Sequence, residues 1–426
     1  MRLPLSLLTI LLCLVAGPAF AADAGSASVA WILTASALVL FMTLPGLALF
    51  YGGLVHHKNL LSVVMQCFAI CCVVSLLWAV CGYSLVFDGD APFIGGLSKM
   101  FLAGTGGPRA PSGLPETVFV LYQMTFAIIT PALIIGAFVE RANFAFVVIF
   151  SALWLLVCYV PAAHWIWGNG WLAAMGAMDF AGGIVVHTTA GISALVLAIM
   201  IGKRRVFPQN LTPPHSPGLT MAGAGMLWVG WFGFNGGSTL VADGTAASAI
   251  LATHLAACAG AAAWTCIEWL KVGKPTSIGI VTGCVAGLAT ITPAAGTVGP
   301  MGAIVIGFAG GLVCFFATLY IKQHAKIDDS LDVFAVHGVG GMLGSLLLAF
   351  FSLAALGGAG LAEGMTAGKQ LGVQALAVGV VALWSAAATW ILTKLIGLFV
   401  PVRVDQESEY DGLDLAQHGE RAYEYP

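Results

Sequence analysis

The sequence predicts an all-α polytopic membrane protein with eleven spanning helices, arranged as two inverted five-helix repeats plus a long eleventh helix. Three observations carry that expectation. Hydrophobic residues make up 59% of the 426-residue chain and charged residues only 8%, against about 25% charged in soluble domains. The apolar residues gather into segments of about 20 residues, the length a helix needs to cross a ~30 Å hydrocarbon core. The chain also echoes itself, with Phe50-Tyr51-Gly52-Gly53 near its start and Phe234-Asn235-Gly236-Gly237 later, and with Asp179…His187 matched by Asp332…His337.

The first residues read as an export signal over residues 1–22. Arg2 supplies the basic start, LSLLTILLCLVAG a core too short to span, and Ala19-Phe20-Ala21 a small-x-small cleavage site. The mature N-terminus is therefore expected outside the cytoplasm. A membrane domain follows over 23–399, and residues 400–426, which hold seven of the nineteen acids, read as a cytoplasmic tail.

The spanning segments lie near 30–53, 60–84, 117–139, 143–163, 180–201, 219–238, 247–269, 277–296, 300–321, 333–355 and 370–399. With the N-terminus outside, the inner loops and tail hold Lys58, Arg141, Lys203, Arg204, Arg205, Lys271, Lys274, Lys322, Lys326, Lys394, Arg403 and Arg421. The outer loops hold only Lys99, Arg109 and Lys369. That asymmetry obeys the positive-inside rule, so span count and orientation support each other. A five-span unit repeated after an odd number of crossings is inverted, an architecture that places the substrate path at the repeat interface. The 54 glycines let helix backbones approach closely. The net charge of −3 gives no sign of a nucleic-acid partner. Cys67, Cys71, Cys72, Cys158, Cys258 and Cys314 lie in apolar runs without metal-ligand spacing and read as small core residues.

Ionisable groups inside spans mark function. His187 falls about 12 Å below the outer end of the fifth span and His337 about 8 Å or more above the inner end of the tenth, so both lie toward the middle of the membrane, where the two imidazoles could meet. Asp179, two turns from His187, is expected to accept backbone N–H groups at the start of its helix and to project negative field toward the outer vestibule. Asp332 is expected to cap or brace the tenth helix. Glu140, Arg141 and Glu268 read as structural. Haem or metal ligation is the competing reading of the histidine pair, but no carboxylate or Cys completes a ligand set, and no cofactor is expected.

The segments PGLALFYGGL, DFAGGIVVH, GWFGFNGGS, VFAVHGVGG and EYDGLDLAQHGERAY, in this order along the chain, resemble the ammonium transporter (Amt) family, related to the Mep and Rh proteins. The resemblance implies a bacterial inner-membrane ammonium transporter rather than an enzyme. It implies a homotrimer with one pore per subunit and a PII signalling protein as partner at the cytoplasmic face. It also implies an outer site that recruits ammonium through Trp167, Phe126 and Ser238, with Asp179 just behind. Phe126 and Phe234 match the stacked phenyl rings that gate the pore, and His187 and His337 its twin histidines. Tyr122 departs from the pattern, since bacterial members often carry Phe four residues before the Phe126 position.

Physics supports those roles. Ammonium gains cation–π attraction from Trp167 and Phe126 and donates a hydrogen bond to Ser238. A charge in the apolar core is very costly. Ammonium avoids that cost by giving up a proton, and potassium has none to give. Each residue also has a plainer reading: Trp167 as an interfacial anchor, Phe126 and Phe234 as packing residues, Ser238 as a helix-end cap. An ammonium sensor with little flux, an Rh-like gas channel and a redox or haem protein stay open as alternatives.

Overall fold

The computed structural model describes residues 24–109, 112–205, 207–209 and 213–424. The expected signal over 1–22 lies outside the described residues. Among these, nine helices are long and apolar enough to cross a membrane: α1 (Gly25–Leu54), α2 (His57–Phe87), α3 (Glu116–Ala137), α4 (Phe144–Ala174), α5 (Gly183–Ile201), α7 (Gly244–Val272), α9 (Pro300–His324), α10 (Phe334–Phe351) and α11 (Ala367–Ile396). Between them stand α6 (Pro217–Gly236), diluted by glycine, and α8 (Ser277–Ile291). All eleven helices fall on the segments read from the sequence. The eighth is shorter than its expected span because Pro293 has no N–H to continue the ladder. Beyond helices, the described residues make only two isolated β-bridges, 108 with 115 and 142 with 403.

The bundle is organised by how the halves of the chain pair. α1 packs along α6, the first helices of the two five-helix units, and α5 packs against α10, the fifth. Glycine sets the second contact, since a Cβ on Gly191 would collide with the backbone of Gly338. That close approach is what lets His187 and His337, 150 positions apart, come together. α11 lies against α4, α5 and α10. Ser193 Oγ there accepts hydrogen bonds from Trp154 Nε1 at 2.9 Å and Thr389 Oγ1 at 2.8 Å, tying three helices together.

The outer surface of the bundle is apolar, with Leu76, Leu383 and Phe308 exposed, as a lipid-facing surface requires. Cys67, Cys158 and Cys314 are buried as expected, but Cys72 and Cys258 are exposed, so the core reading of those two is corrected: an apolar thiol suits lipid as well as protein.

At one end of the bundle, polar groups lock the connections. Arg141 is buried and donates to the carbonyls of Ala137, Asp328 and Gly202 and to Ser330 Oγ. Arg204 pairs with Asp328 at 2.8 Å and Glu140 at 2.9 Å. Burial raises the Asp328 carboxyl, but the Arg204 guanidinium outweighs it and holds the group below the usual carboxylate range. The tail folds onto this end as two short helices, α12 (Gln406–Asp411) and α13 (Leu413–His418). Asp414 accepts from Ser62 N at 2.7 Å at the start of α2, and Gln417 from Phe144 N at 2.6 Å at the start of α4. Gly412, at φ 100°, makes the corner against Lys58. α11 stops at Ile396, and turns carry the chain from there to Pro401.

Candidate functional site: a lumen between two vestibules

A vestibule of ≈ 580 Å³ opens at the end of the bundle opposite the tail, lined by Phe126, Trp167 and Ser238 together with Phe119, Arg109 and Gln123. The Trp167 ring stands edge-on to Phe126, centroids 5.7 Å apart at 88°. Its Nε1 donates to the Asp179 carbonyl at 2.8 Å, which fixes the indole. Ser238 Oγ donates to the Phe234 carbonyl at 2.8 Å, so its lone pairs stay available to a donor in the vestibule.

Directly beneath, Phe126 and Phe234 stack with centroids 4.2 Å apart and planes at 28°. Both rings are buried. Tyr122 lies behind them. Its hydroxyl is held by the carbonyls of Phe234 at 2.8 Å and Gly233 at 3.0 Å, and it lies 3.3 Å from Ser238 Oγ. The hydroxyl at this position therefore braces the Phe234–Ser238 turn from inside the protein.

Below the rings is a lumen of ≈ 10 Å³ lined by Phe234, His187, His337, Trp231, Phe50, Leu133 and other apolar side chains. That volume is at the lower limit for one water-sized molecule. His187 and His337 meet here with Nδ1 atoms 3.3 Å apart and rings nearly parallel, 19° between planes. Both sit on single π-helical turns, Gly183–Thr188 and Phe334–Gly338, a distortion frequent at functional sites.

Thr292 orients the pair. Its hydroxyl donates to the Leu288 carbonyl at 2.8 Å and accepts from Trp231 Nε1 at 2.9 Å, and His187 Nε2 lies 3.4 Å away. With its one proton spent, Thr292 can only accept from His187 Nε2. In the neutral pair, His187 then carries its proton on Nε2, its Nδ1 accepts from His337 Nδ1–H, and His337 Nε2 is left bare. His337 and Phe50 also line a second cavity of ≈ 190 Å³ toward the tail end, together with Arg204, Lys322 and Asp332. The lumen thus joins two vestibules.

Asp179 is buried, and its carboxylate accepts four backbone N–H groups: Gly182 at 2.9 Å and Gly183 at 2.6 Å on one oxygen, Ile184 at 2.8 Å and Val185 at 2.9 Å on the other. It therefore caps α5 as expected, with its side chain turned into the protein rather than into the vestibule.

The sequence echo needs one correction. Asp332 does not cap α10: it takes a φ of 62° and pairs with Lys322 at 2.7 Å. The counterpart of Asp179 is Asp329, buried, whose carboxylate accepts from Val333 N at 3.1 Å and Phe334 N at 2.8 Å. The spacing agrees, since Asp329 stands eight residues before His337 as Asp179 stands eight before His187. Trp231, Thr292, Phe50 and Asp329 are the residues around the lumen that sequence reasoning missed. The eight-residue spacing was the one signal available, and only for Asp329.

An all-helical bundle with an apolar outer surface and a narrow lumen between two vestibules is a multi-pass membrane transport protein. The model of the Ammonium Transporter Family matches residues 30–423. The chain is 45% identical to the ammonium transporter Amt1 of Archaeoglobus fulgidus, over 93% of this chain and 99% of that one. It is 43% identical to an ammonium transporter of Bacillus subtilis, over 91% and 96%. Among solved structures it resembles a sensor Amt protein (TM-score 0.86, 31% identity, 92% of this chain and 98% of that one) and Mep2 of Candida albicans (TM-score 0.82, 35% identity, 96% and 93%). The chain belongs to the ammonium transporter family, whose members are channels rather than enzymes.

Proposed function

We propose that this protein carries ammonium nitrogen into a bacterial cell by binding ammonium in the Trp167–Phe126–Ser238 vestibule and passing ammonia through the lumen. The carrying observation is the His187–His337 pair, seated in an apolar lumen directly under the Phe126–Phe234 stack. Trp167 and Phe126 present π faces to a cation and Ser238 an acceptor to its N–H. Asp179 holds the α5 start and, through its carbonyl, the Trp167 indole.

Below the rings a charge loses both water and aromatic partners, a cost far above what the histidines return. Ammonium therefore hands its proton to water in the ≈ 580 Å³ outer vestibule, before or at the ring pair. Neutral ammonia descends, donating to the bare His337 Nε2, and regains a proton in the tail-end vestibule. Potassium, which cannot lose a proton, stops at the rings. Selectivity comes from deprotonation, not from fit.

The basic loops at the tail end support a cytoplasmic position for the ≈ 190 Å³ cavity, in the inner membrane, with the N-terminus outside. On the same reading the chain works as a homotrimer, and the ordered tail is the regulatory surface that meets PII. The test is ammonium-evoked current and uptake with purified protein in liposomes. Uptake without current means that ammonia crosses alone, and matched current means that a proton crosses too, relayed along the linked imidazoles. Neither uptake nor current means that the transport reading is wrong. The neighbour named a sensor supports a second reading, ammonium binding with little flux. At 31% identity it shares less sequence than the relatives named transporters at 43–45%, so transport is preferred.

A further inference from the structure

One charged side chain lines the ≈ 580 Å³ vestibule among the described residues, and it is a cation, Arg109. A transporter that concentrates ammonium gains nothing obvious from a fixed positive charge at its mouth. The guanidinium is also held in a particular way. Its Cζ lies 4.1 Å from the centroid of Phe119 and 5.1 Å from that of Phe87. It covers π faces that would otherwise be open to a free cation.

Its backbone is fixed as well, with Arg109 N donating to the Leu114 carbonyl at 2.8 Å and the Arg109 carbonyl accepting from Gly113 N at 2.8 Å. Glu116 anchors the head group at 3.5 Å. The same carboxylate takes the Tyr83 hydroxyl at 2.5 Å and the Lys99 ammonium. Glu116 is thus shared between two cations, and the cluster keeps a net charge of about +1. Asp88 and Asp90 keep their charge but lie outside the vestibule lining: Asp88 accepts from Ser98, at 2.6 and 2.7 Å, and faces Lys99, and Asp90 accepts from Asn169 at 3.0 Å.

We infer that Arg109 is an affinity-setting residue, a tethered cation that occupies the Phe87–Phe119 shelf and weakens capture of free cations by the neighbouring Trp167–Phe126–Ser238 site. It keeps the vestibule from filling with cations that cannot proceed, at the expense of affinity for the one that can. This rests on the reading of that site as the recruitment site.

The test is the concentration dependence of ammonium and methylammonium uptake by the full-length protein in liposomes. R109Q and R109K are compared with wild type at ionic strengths from about 10 mM to about 1 M, set with a large organic cation. Lys99 and Tyr83 still satisfy Glu116 in both variants. R109Q should lower the half-saturating concentration about two- to sixfold, the factor a unit charge several ångströms away contributes across a water-filled space. The maximal rate should hold. The gap should close at high salt, where screening removes it. R109K keeps the charge and should stay near wild type. A half-saturating concentration in R109Q equal to or above wild type overturns the inference, as does R109K shifting together with R109Q. W167L separates this from failure of the underlying reading: if W167L leaves half-saturation unchanged, the recruitment site itself is misassigned.

Discussion

His187 and His337 share a single hydrogen bond, Nδ1 to Nδ1 at 3.3 Å, across the contact between α5 and α10. One proton serves both atoms, so the rings act as a unit, and loss of either leaves the other without its partner. His187→Ala and His337→Ala should each cut ammonium uptake on the order of tenfold or more while the protein still folds. The vacated space also gives water, and with it potassium, a way through. Uptake and potassium flux in liposomes check this, and wild-type uptake by both variants would remove the pair from the pathway.

Ser238→Ala and Trp167→Leu should weaken capture and spare some flux, because each removes one contact of several. A cation–π contact is worth about 0.5–2 kcal/mol and a charged hydrogen bond about 1.5–3. Half-saturation should therefore rise about two- to thirtyfold for Trp167→Leu and about tenfold or more for Ser238→Ala. Methylammonium has fewer N–H donors, so Ser238→Ala should affect it differently from ammonium. Identical shifts for both substrates would argue against Ser238 as the acceptor.

The fold was legible because lipid imposes a length on each apolar run, and helical rise with inverted repeats put His187 and His337 at similar depth, while their contact comes from the close packing of α5 on α10. Asp329 was not legible. It sits in the polar run Asp328-Asp329-Ser330-Leu331-Asp332, where composition says loop and any of three acids could cap the next helix. Only backbone geometry selects it, with Asp328 taken by Arg204 and Asp332 by Lys322. Thr292 and Trp231 were hidden for a related reason: one polar atom on an apolar helix has no period, and its role comes from the partner that folding brings to it.

That distinction predicts unequal mutants. Asp329→Ala leaves two buried N–H groups at the start of α10 unsatisfied, at about 1–3 kcal/mol each. It also loosens the turn that carries His337. Asp332→Ala removes an ion pair whose side chains are 19% and 24% exposed, worth about 0–1 kcal/mol. Thermal unfolding of the purified protein should place Asp329→Ala well below Asp332→Ala, with uptake falling in the same order. Equal melting temperatures would mean that Asp329 is not the counterpart of Asp179.

Asp179 supports the sharpest test, because its two oxygens divide four donors evenly. Asp179→Ala orphans Gly182, Gly183, Ile184 and Val185 N–H together and should cost several kcal/mol and all uptake. Asp179→Asn does not keep all four bonds. Its amide oxygen can serve one pair, but its NH₂ would face the other pair donor to donor. The variant should fold with a lower melting temperature and much reduced transport. Asp179→Glu retains both charge and acceptors on a longer arm, so it should recover stability ahead of Asp179→Asn. Comparing melting temperature with uptake across the three variants separates two roles. If uptake simply follows stability, Asp179 acts only by holding the α5 turn and Trp167. If Asp179→Asn loses transport beyond its stability loss, and Asp179→Glu restores it, the negative charge behind the vestibule itself contributes to drawing the cation in.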